Sequence, residues 1–69
     1  MKFTTGKYVE VNGTKFYQGE RVQVVSKSGQ GYVGRIIDID DNSIHLNVIG
    51  ISWEIQAFFD TIEYIGRAE

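Results

Sequence analysis

Neither cysteine nor proline occurs in this 69-residue chain. Without cysteine there is no disulfide and no thiolate metal site, so neither can reinforce a small core. Without proline, no strand loses an amide donor to a pyrrolidine ring. Long apolar runs are missing as well. The opening "MKFTTGKYVEV" has no continuous apolar h-region, and no segment approaches the length of a membrane span. The composition therefore leads to the expectation of a small soluble protein of a reducing, cytoplasmic compartment with no membrane contact. Positive charge is also scarce. The net charge of −2 argues against a strongly electrostatic nucleic-acid binder.

What is present makes one domain near the lower size limit for unaided folding. Apolar residues are 42% of the chain, an ordinary share. A core this small supplies roughly 3–5 kcal/mol, which leaves room for dimerisation or a permanent partner. Charge is unevenly spread. Residues 1–35 carry six Lys or Arg against Glu10 and Glu20, whereas residues 36–69 carry only Arg67 against seven acids. A modest basic patch on an acidic protein is the expected result.

Local patterns are those of short strands. Lys7–Val11 and Thr14–Gln18 flank Asn12-Gly13, the strongest short-range hairpin signal. A two-residue turn sets Val11 opposite Thr14, Glu10 opposite Lys15, Val9 opposite Phe16 and Tyr8 opposite Tyr17. One face is then apolar, and the other pairs opposite charges and two aromatic rings. The Asn12-Gly13-Thr14 sequon reads as part of this turn. Glu20–Ser26 puts Val22 and Val24 on one face. Gly31–Ile39 is a long strand in which Ile36, Ile37 and Ile39 cannot share a face, so a bulge is expected. Ser43–Val48 turns Ile44, Leu46 and Val48 inward and His45 and Asn47 outward. Ile51, Trp53, Ile55 and Ala57 alternate as another strand would. A helical turn at Phe58-Phe59-Asp60 then precedes a last strand, Thr61–Ile65. This is an all-β chain at the strand spacing of a sandwich or barrel.

Gly29-x-Gly31-x-x-Gly34 has the spacing of a phosphate-binding loop. Such a loop needs a helix after its third glycine to present free amides, but here "RIIDIDDN" follows, which is strand and turn. The structural reading is that Gly29 and Gly31 take positive φ at a turn and Gly34 admits a close backbone approach. No cofactor is expected.

The stretch "VQVVSKSGQGYVGRI", Val22 to Ile36, resembles the KOW motif of NusG-type transcription elongation factors and several ribosomal proteins. That pattern is V-x-V-aliphatic, a glycine-bearing loop, then G-x-x-G-x-V. Val22, Val24, Gly31, Gly34 and Ile36 stand on its positions, and Gly19-Glu20-Arg21 precedes them in the family's manner. "IQAFFDTIEYI" resembles the NusG-type ending, with Ile55, Ala57, Phe59, Ile62 and Ile65 at the apolar places. The similarity covers residues 19–65 and departs at Lys27, where the family often has glycine. It implies a small SH3-like barrel of about five strands, akin also to Sm-like and Tudor-like barrels. Residues 1–18 form an N-terminal hairpin extension of that single domain. It further implies a non-catalytic binding module that contacts RNA or proteins of the transcription and translation machinery. The acidic net charge favours a protein partner over RNA.

No residue set has the convergence of a catalytic or metal site. Asp38-x-Asp40-x-Asn42 imitates the start of a calcium loop but lacks its glycine and its closing glutamate, and reads as a polar turn. His45 is the only histidine and is expected on a solvated strand face. No serine is placed beside it with an orienting acid, so no enzyme is expected. The candidate binding residues are the aromatics Tyr8, Tyr17 and Tyr32 with the cations Lys15, Lys27 and Arg35, since rings with nearby cations suit peptides and single strands. The tyrosines divide between surface and core readings, while Trp53 is expected in the core. The alternative role is structural, with the barrel edge or the hairpin's aromatic face building an oligomer.

Overall fold

The computed structural model describes residues 2–68, arranged in two antiparallel sheets. The first sheet contains β1 (Phe3–Thr5), β2 (Tyr8–Val11) and β3 (Thr14–Tyr17), in that order. Asn12 and Gly13 both take positive φ, 51° and 83°, as the predicted tight turn requires. The register of β2 and β3 is the one the sequence specifies, with Val9 opposite Phe16 and Tyr8 opposite Tyr17. The sequence gives no sign of β1. Phe3, Thr4 and Thr5 have no pattern of their own and are ordered by pairing with β2.

The second sheet contains β4 (Arg21–Ser26), β5 (Gly31–Ile39), β6 (Ser43–Val48), β7 (Ile55–Phe58) and β8 (Ile62–Arg67). The spatial order is β7-β6-β5-β4-β8, so the last strand returns beside the first of this set. A single 3-10 turn, Phe59–Thr61, carries the chain from one edge strand to the other. Among the described residues no backbone ladder joins β7 to β8. The sheet curls without closing, and the closed ribbon expected from the sequence is in fact open at this seam.

Two irregularities supply the curl. β4 and β8 shift register between Val25 and Ser26. β5 and β6 shift between Ile36 and Asp38, which leaves Ile37 unpaired and resolves the broken alternation of Ile36, Ile37 and Ile39. Gly34 is the close approach. A Cβ built there would lie 2.5 Å from the Asn47 carbonyl oxygen, so only glycine lets β5 lie this near β6. Gly29 has positive φ, as expected, but Gly31 does not. The turn is already closed by Gly29 N–H donating to Ser26 O and Ser26 N–H donating to Gln30 O, and Gly31 is the first residue of β5.

One core serves both sheets. Val9, Val11 and Phe16 from the first pack with Val22, Val24, Ile36, Ile44 and Leu46 from the second. Phe3 stacks on Phe59 with ring centroids 4.4 Å apart. Arg67 ties the opposite side. It donates to Glu20 Oε2 at 2.8 Å and to the Lys15 carbonyl at 2.7 Å, with its guanidinium over the Phe16 ring. Hydrogen bonds from Arg67 and from the Tyr17 amide hold the Glu20 carboxyl below its ordinary range.

Two expectations fail between Gly50 and Glu54. The fourth strand of the second sheet, β7, begins at Ile55 rather than Ile51, because Gly50 at φ 89° and the Ile51 amide, donating to Val48 O, turn the chain out of the sheet. Trp53 consequently sits in a loop with 66% of its surface exposed and is no part of the core. Ile62 and Ile65 are buried, while Ile55, Ala57 and Phe59 pack half-buried against the core.

Candidate functional site

The two-residue turn that fixes the hairpin register also puts Tyr8 and Tyr17 side by side on its outer face. Their ring centroids are 5.5 Å apart and the planes tilt by 54°. Lys15, two residues before Tyr17, is on the same face by strand alternation. Its Nζ lies 4.8 Å from the centroid of Tyr8. Opposite Lys15 in register is Glu10, yet among the described residues no ion pair joins them. The ammonium instead sits over a ring, a contact worth about 0.5–1 kcal/mol at exposed sites. Tyr17 is 47% exposed and Tyr8 half-buried, so the cluster presents aromatic edges and one cation to solvent.

The remaining candidate residues lie elsewhere. Tyr32 is half-buried at the glycine turn, where its hydroxyl donates to Gln30 Oε1 at 3.3 Å. It lines a groove of about 250 Å³ with Val24, Ile55, Gln56 and Ile62. Lys27 borders a separate surface hollow with Asp60 and Glu63. Arg35 is directly opposite Arg21 across β4 and β5, and its Nη1 donates to the Gly19 carbonyl at 3.0 Å. The six residues therefore divide among four places, and only Tyr8, Lys15 and Tyr17 form a group.

His45 is a correction to the sequence reading. Its strand position is outward, but the ring is half-buried and held at both nitrogens. Nε2 lies 2.7 Å from Asp40 Oδ2, and Nδ1 lies 3.3 Å from Glu54 Oε1. Only the imidazolium donates from both nitrogens. The hydrogen bond to Asp40, and secondarily that to Glu54, raises the pKa above the ordinary 6.5 against the opposing effect of burial. The buried Ser43 hydroxyl extends the network, donating to Asp40 and accepting from Gln56. Asp38, Asp40 and His45 each offer a donor atom within 4.8 Å of the others, a separation that a cation could span. In this structure Asp40 and Glu54 already occupy both ring nitrogens. The sequence signal for the pairing was weak, since Glu54 is nine residues from His45 and reaches it only through the loop.

A pH dependence follows. Because the folded-state pKa is raised, His45 stabilises the fold fully below the ordinary value. That contribution disappears as pH rises through the folded value. Between about pH 5 and pH 9, the stability advantage of the wild type over His45→Gln is expected to be largest at the acid end and to fall as pH rises. Urea midpoints across that range measure it. A difference that grows with pH would contradict the imidazolium assignment.

Comparison of the chain with family models, curated proteins and solved structures finds no match.

Proposed function

We propose that this chain is a non-catalytic binding module of SH3-like architecture, and that it grips a protein segment on the Tyr8–Lys15–Tyr17 face. The architecture is supported by the order β7-β6-β5-β4-β8 with a 3-10 turn between the two edge strands. A small barrel that opens at one seam has this arrangement. The KOW-like pattern fits it residue by residue. Val22, Val24 and Ile36 are buried, Gly34 admits the neighbouring strand, and Ile62 and Ile65 close the core.

One observation carries the functional reading: two tyrosines and a lysine are packed together where they are not needed for the core. Tyrosine gives a large contact area at small entropic cost, and a cation held on a ring is already positioned for an acceptor. A protein partner is favoured over RNA because the second half of the chain is acidic. A polyphosphate would have to be bound against that field. By the KOW-like resemblance, the partner belongs to the transcription and translation machinery.

Parallel selections from a random peptide library and a random single-stranded RNA pool test this reading. Peptides are expected to be enriched, with binding reduced about tenfold or more by Tyr17→Ala. Enrichment of RNA alone, with affinity falling steeply between about 50 and 200 mM salt, would replace the protein partner by a nucleic acid.

The second reading, self-assembly, is favoured by the open edges of β7 and β8 and by exposed Phe58 and Tyr64 on them. Light scattering over a concentration series separates the two. A monomer at all concentrations removes self-assembly.

A further inference from the structure

Outside the tyrosine face, one feature of the surface runs against fold stability. Arg21 on β4 and Arg35 on β5 are directly opposite each other in register, with Asn47 of β6 next in the same row. Like charges facing across a strand pair are destabilising. Among the described residues neither arginine has a carboxylate partner, although Arg67 and His45 both do.

Arg21 and Arg35 border a hollow of about 150 Å³, completed by Gly34, Asn47 and Ile49. Arg35 donates there to the Gly19 carbonyl, and among the described residues its other donors have no partner. Ile49 at the rim is 79% exposed, the most exposed large apolar side chain among the described residues. The hollow therefore combines two cations, one amide side chain and an apolar lip.

We infer that the Arg21–Arg35 hollow receives a single side-chain carboxylate of an acidic peptide segment, with an adjacent aliphatic residue against Ile49. Paired guanidinium groups match a carboxylate through parallel charge-assisted hydrogen bonds. The neighbouring charges limit the ligand to one anionic group. Beyond the Ile37 bulge the next outward residues are Asp38 and His45, with Asp40 following, so a continuous polyanion would run from two arginines into carboxylates. That excludes a nucleic-acid backbone as the better occupant. The proposal adds partner chemistry to the binding-module reading and depends on it only for the segment's origin. Anion capture by the hollow is measurable without any partner.

The test is an NMR titration of the full chain with acetyl-Leu-Asp-Leu-amide and its neutral counterpart acetyl-Leu-Asn-Leu-amide. The aspartate peptide is expected to shift the amides of Arg21, Arg35, Asn47 and Ile49 in a saturable manner. The asparagine peptide should bind about tenfold more weakly, as the loss of a charge-assisted bond implies. Arg21→Gln should reduce aspartate-peptide binding by a similar factor while leaving the melting temperature unchanged or raised, because it removes the repulsion. Equal binding of the two peptides, shifts centred elsewhere, or no saturation would overturn the proposal. So would tighter binding of a uridine trinucleotide at the same amides. A lowered melting temperature for Arg21→Gln would show that the pair stabilises the fold, which also contradicts it.

Discussion

Gly34→Ala is expected to lose most of the stability of this protein. An added methyl would meet the Asn47 carbonyl oxygen at 2.5 Å and its carbonyl carbon at 3.0 Å. Both are backbone atoms of the adjacent strand, so no side-chain rotation relieves the clash. β5 and β6 would have to move apart where Gly34 pairs with Val48 and Arg35 with Asn47. Overpacking of this kind costs about 1–3 kcal/mol, and more where the backbone must shift. Against a total of roughly 3–5 kcal/mol, the variant is expected to be largely unfolded at 37 °C. In a domain this small each kcal/mol moves the melting temperature by about 4–8 °C. Gly31→Ala is the control in the same motif. Its added methyl would find nothing nearer than Val25 Cγ2 at 3.9 Å, an ordinary contact. Thermal melts of the two variants separate sheet-shaping glycines from phosphate-binding ones. If both melted like the wild type, the packing explanation of Gly34 would be wrong.

The second large effect is expected for Phe16→Ala. Phe16 is buried on β3 opposite Val9, and its ring carries the Arg67 guanidinium at 5.1 Å. It belongs to both sheets at once, because Arg67 ends β8 and also reaches Glu20 and the Lys15 carbonyl. Removing a buried phenylalanine costs about 3–5 kcal/mol, comparable to everything the domain has. A single lost transition is expected in urea. Two separate transitions would mean that the three-stranded sheet is an appendage and that the five-stranded sheet folds alone.

The parts of this structure that were legible in the sequence are those set by short-range rules. Asn12-Gly13 fixed a register that the Tyr8–Tyr17 and Val9–Phe16 pairs obey. The tyrosine cluster was foreseeable for the same reason. The Ile37 bulge followed from three isoleucines that no flat strand can bury together. What stayed hidden depends on distant partners. β1 exists because β2 accepts it and Phe59, more than fifty residues away, stacks on Phe3. The alternation of Ile51, Trp53 and Ile55 looked like a strand, yet Gly50 directs the first two of them into a loop. His45 gained its second carboxylate, beside Asp40, only once the β6–β7 loop brought Glu54 back. The Arg21–Arg35 pair lay within reach of sequence reasoning. A register counted outward from the Ser26–Gln30 turn puts them face to face, but only when both strands' bounds are known.

Binding at the tyrosine face is tested most directly by mapping where a selected peptide touches the protein. Chemical-shift changes in an isotope-labelled chain, titrated with the best peptide from the library, should centre on Tyr8, Lys15 and Tyr17 and collapse in Tyr17→Ala. Changes centred on the β7 edge or on the loop around Trp53, with the Tyr17→Ala variant binding as tightly as the wild type, would contradict the account.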